Sequence, residues 1–488
     1  MTTAPSADTA PPIQLSLVSH TNTGKTTLAR TLLSRDIGEV RDAPHVTEFA
    51  EMHVLLKSPE GDVLQLWDTP GFGDSVRLAR RLALQSTPLG WFLTQVWDRF
   101  RDRAFWSSQQ ALRHVREESD LVLYLVNAAE SPAAAGYIRS ELQLLEWVGK
   151  PVVVLMNQMG PPRESADEAA ELARWQAHFA STPLVREVLP MDAFARCWVQ
   201  EGALLQAIGR ALGADDRMDR LHTAWTRQRL ATFAQAMHEL AASLGRIATA
   251  RAPLPEAGGG LLDRFRSGAE RSATSAQRAL ADMLEREVAE STTRLLALHG
   301  LEKRAQAQIL ARVAGQVEVR APVGEARASV MGGVVSGALS GLAADLMAGG
   351  LTLGAGMLAG GLLGAVGGAG VARAINVVRG TGEGYAGWSE AALGPIVQAA
   401  LLRYLAIAHF GRGRGQWVEG EAPAHWPGLV QTALDREASA LTSLWQSRSS
   451  TQANAGDADR LAQGLEPVLA RATREVIERL YPGAWPRG

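Results

Sequence analysis

An apolar run that reaches glycine, lysine and threonine and then turns helical leaves a chain few choices. Here "IQLSLV", from Ile13 to Val18, passes through "SHTNTGKTT" into a helical stretch ending near Leu33. A strand that hands over to a helix in this way points several backbone N–H groups at one place. The helix dipole favours an anion there, so the local geometry suits phosphate. Gly24, Lys25 and Thr26 satisfy the phosphate-loop pattern, with Ser19 standing where its first glycine belongs. Serine fits that position if its backbone stays in an allowed φ region.

Each polar residue near the loop then has a chemical task. Lys25 would reach the β and γ phosphates, and the Thr26 hydroxyl would ligate Mg²⁺. Thr23 and Gly24 complete the loop, while Thr27 either faces the α-phosphate or only starts the helix. In "WDTPGF", Asp68 ends a strand where its carboxylate can hold a metal-bound water, and the Gly71 amide can face the γ-phosphate. Thr47, in "HVTE", offers a hydroxyl and a carbonyl to the metal, the alternative being a plain surface threonine. Lys25, Thr47 and Gly71 are thus the groups expected to act on the terminal phosphate.

At 488 residues the chain exceeds the roughly 250 to 300 that one core usually holds, so at least two domains are expected. Residues 13–213 alternate β-rich and helical runs, which argues for an α/β domain with a largely parallel sheet. Its six strands are "IQLSLV", "FAEMHVLL", "VLQLW", "LVLYLVNA", "PVVVLMN" and "REVLPM". "KSPEGD" between the second and third reads as a hairpin turn. Beyond Ala214 the strand signal stops, and apolar residues at three- and four-residue spacing predict helices over 214–329 and 381–488. Residues 1–12, polar and rich in proline and alanine, read as a disordered tail without the marks of a secretion signal. A formal net charge of -2 gives no basic excess for nucleic acid, so none is expected as a partner. Cys197 is the single cysteine, which excludes an internal disulfide and points to a reducing, cytoplasmic compartment.

"SHTNTGKTT", "VTE" and "DTPGF", at these spacings, resemble the P-loop GTPases of the TrmE–Era–EngA class. Over most of the chain, "GWFLTQVWDRFRDRAFWSSQQALR", "LVNAAE", "MNQMGPPRE" and "LPMDAFARCWVQEG" are similar to bacterial proteins carrying the domain of unknown function 3482. The resemblance implies a Ras-like P-loop GTPase domain that binds GTP or GDP with Mg²⁺, followed by an α-helical C-terminal region. It also exposes departures. Phe72 stands where Ras-like enzymes place the glutamine that orients water, so turnover should be slow. Some relatives compensate with K⁺ held by the loop asparagine, which is Asn22 here; the alternative is that Asn22 only braces the loop. The base-reading Asn-Lys-x-Asp becomes "NQMG": Asn157 is kept, Gln158 replaces the lysine and Gly160 the aspartate. Loss of that carboxylate weakens the case for guanine by roughly 2 to 4 kcal/mol of discrimination, leaving ATP open. Asp192, in "PMDAF", either substitutes for it or caps a local turn.

Two stretches suggest partners. Residues 75–118 form a helical insertion after the second switch, and within 88–110 Trp91, Phe92, Trp97, Phe100, Phe105 and Trp106 mix with arginines. Such a surface suits a protein interface, and packing into the protein's own core is the other reading. Residues 330–380 are glycine-rich and apolar, with glycines at four-residue spacing at 333, 337 and 341 and again at 356, 360 and 364. An isolated helix of this composition would be unstable in water, whereas close helix contact or a bilayer suits it. Residues 330–372 therefore read as a hairpin that contacts the inner membrane or as a buried soluble hairpin, with Asp345 at its joint uncomfortable in lipid. A membrane-associated, dynamin-like structural role and a non-hydrolysing nucleotide adaptor are the competing functions.

Overall fold

A computed structural model describes residues 10–33, 51–83, 101–159, 165–191, 197–213, 215–253, 268–301, 375–378, 385–409, 425–448 and 455–486. Two compact units divide the chain, with the main boundary between Leu230 and Ala231.

The first unit is built on a six-stranded sheet: β1 (Ile13–Ser19), β2 (Glu51–Lys57), β3 (Val63–Asp68), β4 (Leu121–Asn127), β5 (Val152–Asn157) and β6 (Val185–Pro190). The order is β2-β3-β1-β4-β5-β6, and only β2 runs antiparallel, against β3. All six expected strands are present. β4 and β5 are unbroken apolar runs, buried almost throughout, as strands covered on both faces must be. The helices among them are α1 (Lys25–Leu33), α2 (Ser75–Ala83), α3 (Arg103–Glu118), α4 (Ile138–Val148), α5 (Ser165–Phe179) and α6 (Trp198–Leu212). Crossovers between parallel strands bring the loops after β1, β3 and β5 to one edge, where α/β sheets bind ligands.

The insertion is helical at both described ends, α2 and α3. Phe105, on α3, is 6% exposed and belongs to the core cluster with Leu78, Leu112 and Val115. Asp102 caps α3 through the Phe105 amide and pairs with Arg77 of α2 at 2.6 Å, whose guanidinium lies 3.9 Å above the Phe105 ring. Phe105 is therefore core, while Trp91, Phe92, Trp97 and Phe100 lie outside the described residues. At the other terminus, Pro11, from the stretch read as a tail, offers its carbonyl to Arg217 at 2.7 Å.

Beyond β6, α7 (Asp216–Thr249) contains the unit boundary, and the second unit continues with α8 (Gly268–Leu298), α9 (Glu390–Ala408), α10 (Trp426–Arg436), α11 (Ala438–Gln446) and α12 (Ala455–Leu480). Arg246 grips both oxygens of Glu287, and Arg294 reaches Glu239 at 2.7 Å, so charge pairs tie α7 to α8. Gly245 lets another backbone approach closely: a Cβ there would sit 2.5 Å from the Ala458 carbonyl.

The helical reading of the C-terminal region needs one correction. The C-terminal region is helical but adds a sheet of β7 (Arg251–Pro253), β8 (Ile375–Val378) and β9 (Tyr385–Trp388), in the order β7-β9-β8. Strands of three or four residues are too short to show an alternating pattern. Gly300, whose φ is +64°, closes α8 in a left-handed cap. Of residues 330–380, only β8 is described; 330–372, with Asp345, lies outside the described residues. Among the described residues α9 is long and apolar enough to cross a membrane, yet 78% of that window is buried within the protein. Arg403 sits fully inside it, donating to the Val288 carbonyl and Ser291 Oγ at 3.1 Å, which marks α9 as a core helix.

Candidate functional site

The loop after β1 closes on itself. His20's carbonyl accepts from the hydroxyls of Ser19 at 2.7 Å and Thr23 at 3.0 Å. Asn22 and Gly24 take positive φ, 63° and 83°, a region open to glycine and tolerated by asparagine. Outside glycine, only Asn22 and Gln158 do so among the described residues, so Ser19 holds an ordinary backbone and needs no glycine. Lys25, Thr26 and Thr27 form the first turn of α1, with Lys25 and Thr27 buried.

Asp68, at the end of β3, joins this loop to the strand beside it. Its Oδ1 accepts from Lys25 Nζ and its Oδ2 from the Thr26 hydroxyl, both at 2.9 Å. The ion pair is buried on both sides, a position that a carboxylate and an ammonium tolerate only when each is satisfied. Two residues chosen from sequence for phosphate and metal, Lys25 and Thr26, are thus brought onto the carboxylate of a third, Asp68. A hydroxyl and a carboxylate are hard oxygen donors suited to Mg²⁺, an ion that keeps few protein ligands and relies on phosphate and water for the rest. Among the described residues no group of three His, Cys, Asp or Glu side chains converges. Thr26 and Asp68 would hold the ion; Thr47 lies outside the described residues.

The second loop follows Asp68. Thr69 anchors it through a hydroxyl bond to the Leu17 carbonyl, and the Phe72 amide donates to the Ser19 carbonyl at 3.0 Å. Gly71 lies directly on the phosphate loop, where a Cβ would meet Thr21 at 3.2 Å. Phe72 turns its ring away from the loop and into the core, 3% exposed, among Val18, Leu78, Phe105 and Val115. It offers nothing to an attacking water.

The third loop follows β5. Asn157 is buried, and its amide donates to the Thr23 carbonyl at 2.7 Å. Gln158, at φ 56°, donates to the Asn22 carbonyl at 3.3 Å. Both therefore brace the phosphate loop, and Gln158 supplies a tie that a lysine would supply with charge. Gly160 and Asp192 lie outside the described residues.

Sequence reasoning missed a layer beneath the loop. His20 Nδ1 lies 2.8 Å from Oε1 of Glu141, on α4, and the ring stacks on Tyr137 at 4.4 Å. The Tyr124 hydroxyl, from β4, donates to the other Glu141 oxygen at 2.6 Å. The bond to Glu141 raises the His20 pKa, and burial raises that of Glu141 despite its two partners. Glu141 lies 121 positions from His20, so no local pattern could announce the pair.

Comparison with known proteins places two family models on the chain. The model described as "50S ribosome-binding GTPase" matches residues 14–158, and the one described as "Domain of unknown function (DUF3482)" matches residues 185–466. No curated protein matches the chain. Among solved structures, it is similar to an Era variant of Aquifex aeolicus bound to GDP and AlF4-, at 19% identity over 42% of this chain and 58% of that one, TM-score 0.29. It is also similar to a probable GTP-binding protein engB, at 13% identity over 41% and 98%, TM-score 0.26. A third is a GTP-binding protein of Sulfolobus solfataricus in complex with GDP, at 16% identity over 43% and 52%, TM-score 0.24. The chain thus spans less than two thirds of the Era protein's own length.

Proposed function

Because the chain belongs to the DUF3482 family and carries a P-loop GTPase domain ahead of it, we propose that it binds GTP with Mg²⁺ and hydrolyses it slowly, as a nucleotide switch. One observation carries this: Lys25 and Thr26, the phosphate and metal groups, are already held on Asp68 at 2.9 Å. Phosphoryl transfer needs positioning and charge stabilisation more than a covalent residue. Lys25 supplies the charge, Gly71 the close backbone against Thr21, and Asn22 is the candidate K⁺ ligand. Competition between GTP and ATP for the purified protein, by calorimetry in Mg²⁺, tests the ligand. GTP should bind more tightly, and Gly160→Asp should widen the gap; if ATP wins, the GTP assignment falls. Phosphate release should be slow and faster in K⁺ than in Na⁺.

Burial of the Phe72 ring favours a second reading, a nucleotide-binding adaptor without turnover. Bound nucleotide with no phosphate release in either cation would establish it. In the fuller form of the proposal, residues 88–110 meet a protein partner and 330–372 contact the inner membrane from the cytoplasm. Liposome flotation in GTP against GDP tests the membrane contact, and no flotation in either state would remove it.

A further inference from the structure

We propose that His20 and Glu141 form a clamp that holds the phosphate-binding loop in its binding shape, making them positioning residues of the nucleotide site. The inference rests on the nucleotide reading above and assigns that site a support outside the loop motif. His20 is the hub of the loop: its carbonyl gathers the Ser19 and Thr23 hydroxyls, while its ring leaves the loop and ends on α4. Fixing that ring therefore fixes the carbonyl around which the loop folds.

Glu141 is the odd residue on its helix. The buried stripe of α4 runs through Ile138, Leu144, Leu145 and Val148, and Glu141 occupies the same stripe, fully inaccessible. Packing alone would call for leucine there, since a buried carboxyl group is expensive unless its oxygens are bonded. Both oxygens are bonded, one to His20 of the loop and one to Tyr124 of the rigid β4. The neighbouring Ser140 bonds Ser75 Oγ at 2.6 Å, at the start of the helix that follows the Gly71 loop. One helix thus holds the phosphate loop through Glu141 and the second switch through Ser140.

The test uses the full chain and measures GDP affinity well below the melting temperature for His20→Ala, Glu141→Gln and the double variant. Glu141→Gln is isosteric and keeps the helix packed. His20→Ala should weaken GDP by about tenfold and Glu141→Gln, whose amide oxygen can still accept from His20, by less; the double variant should lose no more than His20→Ala alone, because partners in one contact are not additive. His20→Gln, whose amide can still donate to Glu141, should recover part of the loss. Melting temperatures that fall while GDP affinity holds would reduce the network to core packing and overturn the clamp. Fully additive losses would overturn it as a unit. Failure of the unaltered protein to bind any nucleotide would overturn the nucleotide reading itself, and the clamp with it; binding indifferent to all these variants overturns the clamp alone.

Discussion

The two ends of the nucleotide site are built differently. At the phosphate end, Lys25, Thr26 and Asp68 already hold one another in a buried, satisfied cluster. At the base end, Asn157 and Gln158 turn their amides back to the carbonyls of Thr23 and Asn22. What survives of the base-reading motif serves the phosphate loop. On the proposed reading, triphosphate binding and base discrimination would be separable properties, and the glycine at position 160 should weaken the second without touching the first.

The largest test of that separation is Lys25→Ala. It removes the phosphate cation and leaves Asp68 buried without its ion partner, so GTP and ATP should both weaken by at least about a hundredfold in calorimetry. A variant that still bound either nucleotide normally would break the phosphate end of the comparison. Gly24→Ala comes next. At a φ of +83° a side chain is strained, and its Cβ would sit 2.7 Å from Asn157 Nδ2, displacing the brace to Thr23. Strain and a lost hydrogen bond together cost about 2 kcal/mol, which should appear as a lower melting temperature and weaker binding of both nucleotides.

The same contrast explains what could be read from the chain. Ser19 to Thr27, "WDTPGF" and the six strands are local patterns, and each formed where its pattern lay. Contacts between distant elements left no such trace. Glu141 looks like an ordinary polar residue of an amphipathic helix until α4 packs beneath the loop, and the direction of the Phe72 ring depends on α3, an insertion away. β7 and β8 are pinned by pairing with β9, a tertiary event that four residues of sequence cannot signal. Gln158 shows the same limit: as a letter it is a missing lysine, and as a structure it is a brace.

Asn157→Ala and Gln158→Ala sharpen the base end. Asn157 is buried, so truncation leaves the Thr23 carbonyl without that donor and should weaken binding by about tenfold. If Asn157 acts only through the loop, GTP and ATP lose equally; a loss confined to GTP would return it to base reading. Gln158 should show the smallest effect. Its amide is exposed to water, and its bond to Asn22 is long at 3.3 Å, so water can replace the lost donor at a cost of about 0.5 kcal/mol. Roughly a twofold change, shared by both nucleotides, is therefore expected for Gln158→Ala. Gln158→Lys should at least match the natural residue, because an ammonium can reach the same carbonyl with charge. A large, GTP-selective loss in Gln158→Ala would mean that this side chain meets the base, and the two ends of the site would no longer be separable.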